Sequence, residues 1–101
     1  MIFMVVSTWP LSSSEELGKV TVDLQSRPLP EYMKRLGQYV VTGADSLKSH
    51  SIYEAEKGHD DEAYTEILNR FLEYKTIPGY NFVVENVLPL EAALSLMGLK
   101  L

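Results

Sequence analysis

Leu36-Gly37-Gln38-Tyr39-Val40-Val41-Thr42-Gly43-Ala44-Asp45-Ser46-Leu47-Lys48-Ser49-His50-Ser51-Ile52-Tyr53-Glu54-Ala55-Glu56 is the stretch that decides the fold. Two extended runs, Leu36 to Thr42 and Leu47 to Glu56, flank Gly43-Ala44-Asp45-Ser46, which is turn chemistry. The segment therefore predicts a β-hairpin, and with it an antiparallel sheet. If Ala44 and Asp45 are the central turn residues, Thr42 stands opposite Leu47, and counting outward pairs Tyr39 with His50, Gly37 with Ile52 and Arg35 with Glu54. Val40, Leu47 and Tyr53, with Leu36, then form a second, more apolar face suited to packing under helices. A slip of one residue would separate Tyr39 from His50.

Toward the N-terminus, Arg27-Pro28-Leu29-Pro30 breaks the chain, because each proline lacks an N–H and biases its predecessor to extended geometry. Pro30 is placed to open a short helical turn through Lys34. Before the break, Leu17, Val20 and Leu24 recur at helical intervals, and Ser13 with Glu16 has the spacing of a capping box. Gly18 and Val20-Thr21-Val22 weaken this helix intrinsically, so its stability must come from packing on a sheet. Ile2 to Trp9, ended by Pro10, is β-branched and aromatic, with apolar residues on both alternating faces; it predicts a central strand.

Toward the C-terminus, Lys57-Gly58 closes the hairpin. Asp60 or Asp61 then caps a helix whose Tyr64, Ile67, Leu68, Phe71 and Leu72 share one stripe. Pro78-Gly79 is a turn, Asn81 to Leu88 a strand ended by Pro89, and Leu90, Ala93, Leu94 and Met97 lie along a terminal helix stopped at Gly98. The order is β-α-β-β-α-β plus a C-terminal helix, a ferredoxin-like α+β domain spanning residues 1–101 with an antiparallel four-stranded sheet. Right-handed crossovers put both main helices on one face. The other face, apolar in places and unroofed, calls for a second copy of the chain. The tail Leu99-Lys100-Leu101 points the same way.

Composition narrows the function classes. With 46% apolar and 23% charged residues in 101, the chain is an ordinary globular domain with room for one core. A net charge of −5 repels a phosphate backbone, so nucleic acid is not an expected partner. Zero cysteines exclude disulfides, thiol nucleophiles and Cys-based metal or iron–sulfur sites. The apolar run at Ile2–Val6 has no basic leader and is too short for a membrane span, which reads as a cytoplasmic protein without membrane attachment.

The candidate site residues are Tyr39, His50 and Glu54. An imidazole beside a phenol, with a carboxylate farther along the same face, suits general acid–base work or a polar ligand. The plainer reading of the same residues is a cross-strand aromatic pair that fills an interface, with Arg35 and Glu54 a rim ion pair of small consequence. His59-Asp60-Asp61 are metal-ligating types, but consecutive residues rarely converge on one ion and capping accounts for the aspartates, so no metal is expected. Glu54, Glu56 and Glu85 read as solvated strand ends, Trp9 as a core cover or a pocket mouth, and Ser12-Ser13-Ser14 as a cap with no adjacent base. No glycine-rich phosphate loop is present.

The strand Ile2–Trp9, the hairpin from Tyr39-Val40-Val41-Thr42-Gly43 into Ser51-Ile52-Tyr53-Glu54-Ala55, and the helix start His59-Asp60-Asp61-Glu62-Ala63 together resemble the dimeric α+β barrel superfamily, in which two ferredoxin-like sheets pair face to face. The resemblance implies a homodimer that binds or transforms a small organic molecule in a cleft without a tightly held cofactor, by oxygenase or isomerase chemistry. The alternative is a non-catalytic dimerisation or ligand-sensing module, since the superfamily holds all of these.

Overall fold

Burial along the first strand alternates with every residue, and that alternation organises the molecule. In β1 (Ile2–Pro10), Phe3, Val5, Ser7 and Trp9 are buried, while Ile2, Met4 and Val6 between them are only half-buried. A computed structural model of the chain describes residues 1–100; the last residue of the apolar tail, Leu101, lies outside the described residues. The remaining elements are α1 (Ser14–Gln25), β2 (Met33–Thr42), β3 (Ser46–Ala55), α2 (Asp60–Phe71), β4 (Asn81–Val87) and α3 (Leu90–Leu96). The four strands lie in the order β2-β3-β1-β4, with every neighbouring pair antiparallel. This is the ferredoxin-like βαββαβ arrangement with an added C-terminal helix.

Both long helices pack on the face that carries Phe3, Val5 and Tyr53. Leu24 of α1 and Ala63, Ile67 and Phe71 of α2 close the core from above. The apolar stripe of α2 is rotated from the expected one: Leu72 and Tyr64 are exposed, and Arg70 takes a buried place beside Phe71. Arg70 is tolerated there because every arm of its guanidinium is used. Its Nε donates to Glu66 at 2.8 Å, and its terminal nitrogens donate to the carbonyls of Leu24, Arg27 and Pro28 at 3.4, 3.2 and 2.7 Å. Those carbonyls lie at and beyond the C-terminus of α1, where a helix leaves acceptors unpaired. Arg70 thus ties the two helices together.

Local capping departs from the sequence reading. Ser13 precedes α1 but caps nothing; its hydroxyl donates to the Pro78 carbonyl at 2.7 Å, and Ser14 accepts from the Trp9 indole at 3.2 Å. The long-range acceptor outcompetes the local one, and it pins the start of α1 to the turn before β4. At that turn Gly79 has φ +76°, and a Cβ there would meet Pro10 at 2.5 Å, so only glycine fits. Residue 59, not 60 or 61, precedes α2; Asp60, Asp61 and Glu62 instead occupy its first turn, where they complement the helix dipole. No helical turn forms from Pro30 to Lys34: a single bond from the Met33 N–H to the Pro30 carbonyl turns the chain, and β2 begins at Met33.

The far face of the sheet is bare. Cross-strand rows place Tyr39, His50, Val6 and Val83 side by side on it, and Tyr39 and Val83 are 62% and 58% exposed. The terminal helix does not roof it, since α3 buries none of its residues and Leu90, Leu96 and Met97 all face solvent. The result is a thin, extended particle of 46 × 32 × 17 Å with a radius of gyration of 15.2 Å, against about 13 Å for a compact chain of this length. Among the described residues, no helix is long and apolar enough to cross a membrane.

Candidate functional site

Between α1 and the sheet lies a cavity of about 190 Å³. Its floor is the middle of the helix-covered face, where Ser49 and Ser51 of β3 sit beside the buried Ser7 of β1. Three small side chains in neighbouring rows leave a hollow that valines or leucines would fill. Its roof is one stripe of α1, formed by Leu17, Thr21, Leu24 and Gln25 at helical spacing. Its walls are aromatic: Trp9, Tyr53, Phe71, Tyr74 and Tyr80 all line it. Tyr74 and Tyr80 stack with ring centroids 4.7 Å apart, and Trp9 extends the stack at 6.5 Å from Tyr80.

The phenols are held, not free. Tyr80 shares a 2.7 Å hydrogen bond with the Ser7 hydroxyl, and Tyr74 an equally short one with Thr21. Burial pushes both phenols above their ordinary value, outweighing the opposing effect of those hydrogen bonds. Both are therefore neutral near pH 7. Among the described residues, the lining contains no carboxylate and no imidazole.

Arg35 differs from every other polar group there. Its guanidinium lies over the Tyr53 ring with Cζ 5.5 Å from the centroid, and its Nη1 donates to Gln25 Oε1 at 3.4 Å. Its Nε is shut off from solvent and finds no acceptor. An orphaned buried donor costs on the order of 1–3 kcal/mol. The hairpin count had put Arg35 opposite Glu54; the structure pairs it with Tyr53 instead. The register shifts between Arg35 and Gly37, so Leu36 is extruded as a bulge and is 46% exposed. Bulges re-aim side chains in this way. Lys34, displaced by the same residue, takes Arg35's place opposite Glu54 and bonds it at 3.2 Å.

Beyond the bulge the hairpin count holds, with Tyr39 opposite His50 and Gly37 opposite Ile52. The Tyr39 ring folds back over Gly37, whose missing Cβ would meet it at 2.7 Å. All three residues singled out from the sequence, Tyr39, His50 and Glu54, share the bare face; Tyr39, on the edge strand, also borders the cavity, while the sheet separates His50 and Glu54 from it. Trp9, read as a core cover or pocket mouth, is both: it is 6% exposed and lines the cavity. His59 bonds Glu62 at 3.0 Å, and Asp60 lies 3.4 Å from the N-terminal amine. Among the described residues, no three metal-ligating side chains cluster.

The fold and the cavity define a class: a ferredoxin-like α+β domain with a small aromatic chamber between its helices and its sheet. No protein-family model matches the chain, and no curated protein matches it significantly. Among solved structures it is similar to SnoaB, a cofactor-independent oxygenase from Streptomyces nogalater. A mutant form of that protein superposes with a TM-score of 0.50 at 6% identity, over 88% of this chain and 96% of that one. A second SnoaB structure gives a TM-score of 0.48, again at 6% identity, over 87% and 93% of the two chains. At this identity the likeness is one of fold.

Proposed function

We propose that the domain binds a small ring-bearing organic molecule in the cavity under α1, as a homodimer closed through the bare face of its sheet. The observation that carries this reading is the aromatic-walled hollow over Ser49 and Ser51. Its volume of about 190 Å³ is below the roughly 300–1,000 Å³ of drug-sized sites and near the ~150 Å³ of a cavity that admits benzene. A single ring fits. Dimerisation is supported by the exposed Tyr39, Val41 and Val83 on a face that α3 leaves bare.

The chain has one tryptophan, Trp9, and it borders the cavity. Titration with benzyl alcohol should therefore change the indole emission saturably, and Ser49→Leu, which fills the hollow, should abolish the change. A linear, unsaturable response would overturn the reading. Sedimentation velocity tests the dimer separately.

Turnover is a second reading, favoured by the placement of Tyr39 directly opposite His50. In it His50 accepts a proton, Tyr39 orients or donates to a substrate oxygen, and Glu54 sets the local charge, beneath the sheet of the partner copy. Oxygenase or isomerase chemistry, the former named for SnoaB, belongs to this reading. His50→Ala separates the two: a ligand held at His50 loses its binding isotherm, and an unchanged isotherm removes His50 from the site and leaves a binding or sensing module.

A further inference from the structure

We infer that the molecule held in the cavity is an anion, specifically a one-ring aromatic carboxylate gripped by Arg35. This rests on the binding reading above and names the ligand class for the same site. The chain has three arginines. Arg27 is bound to Asp23 and Glu73, and Arg70 to Glu66 and three carbonyls. Arg35 has no carboxylate partner among the described residues, although the chain carries 14 Asp and Glu against 9 Lys and Arg. In so acidic a protein, an arginine that lines a cavity and has no counter-ion is the feature to explain.

The geometry supplies the rest. The Nη1 arm is engaged by Gln25, and Gln25 is itself steadied by a 3.1 Å bond to Gln38. That leaves Nη2 and Nε, the side-on fork of the guanidinium, without a hydrogen-bond partner among the described residues, with Nε enclosed by protein atoms in the unliganded chain. Two parallel N–H groups in that spacing match the two oxygens of a carboxylate, one oxygen meeting Nη2 and the other reaching Nε once the side chain shifts to uncover it. Stacking on Tyr53 holds the plane of the fork. The bulge at Leu36 trades a leucine for this cation in the cavity wall. Beside it, the Tyr74 and Tyr80 rings offer a stacking surface for the ligand's own ring, and their neutral phenols add no repulsion.

The test compares benzoate with benzamide, which share ring and shape and differ in charge, by titrating Trp9 emission at neutral pH. Benzoate should bind roughly tenfold or more tightly than benzamide, as a charge-assisted fork requires. In Arg35→Gln that preference should vanish while benzamide binding persists, and Arg35→Lys, which keeps the charge but loses the fork, should recover only part of it. Equal binding of the two compounds by the natural chain overturns the inference without any variant, as does an unchanged preference in Arg35→Gln. Equal binding leaves the cavity reading standing. If neither compound perturbs Trp9, both fall.

Discussion

Val5 and Val6 are adjacent on β1, yet one is wholly enclosed between sheet and helices and the other is half-buried on the bare side. The same contrast runs across the sheet. On the helix side, Phe3, Tyr53 and Ile67 interlock and the remaining hollow is lined by specific polar groups; on the other, Tyr39, Val41 and Val83 stand more than half exposed. One face carries the stability of the single chain, and the other holds apolar area that stabilises only when something covers it. Stability and the proposed assembly are therefore separable by mutation.

The sharpest break would come from Ile67→Ala. The side chain is fully buried at the centre of the helix layer, so truncation should cost about 2–5 kcal/mol in urea unfolding. A cost below ~1 kcal/mol would mean that this face is not the source of stability.

Arg70→Ala tests whether the helix layer depends on polar contacts as well as apolar ones. It would leave the carbonyls of Leu24, Arg27 and Pro28 unpaired and Glu66 without its cation, for an expected loss of about 2–4 kcal/mol. The melting temperature should drop by more than ~8 °C.

A pH titration probes the same layer more gently. Tyr74 and Tyr80 ionise less readily when folded than the ordinary phenol value of 10.0. Below that value both states hold the proton and stability is unaffected. As pH rises past it, the unfolded chain ionises first, so the folding free energy should fall with increasing pH. Tyr80→Phe should flatten the fall; an identical alkaline slope in that variant would remove Tyr80 as its cause.

The smallest thermodynamic effect is expected on the bare face. Val83→Asp should alter the unfolding free energy of a dilute chain by no more than ~0.5 kcal/mol. It should nevertheless shift the sedimentation coefficient of the proposed dimer to that of a monomer. A large loss of stability instead would show that the face is already engaged within one chain.

Much of this was legible in the residue pattern. The turn at Gly43–Ser46 set the hairpin register from Thr42–Leu47 through Tyr39–His50 to Gly37–Ile52. Counting failed at Leu36 because it assumes one residue opposite one. Three matches have to hold together: Tyr39 with His50, Arg35 over Tyr53, and Lys34 with Glu54. They do so only if one residue leaves the ladder. Local alternation does not say which residue that is. Nor do Ser49 and Ser51, with Ser7 beside them, announce a cavity floor, since each alone reads as an ordinary strand polar residue. They become a hollow only when three strands and α1 converge.

By itself, then, the sequence determined the kinds of element, their order and the two-sided character of the sheet, because these follow from periodicity and turn chemistry acting within a few residues. Tertiary structure alone decided that Ser13 serves a distant carbonyl, that Arg70 ties helix to helix, and that Arg35 faces the cavity. Each of those outcomes is a competition between a local partner and one far along the chain, and the distant partner enters the competition only after the layers have packed.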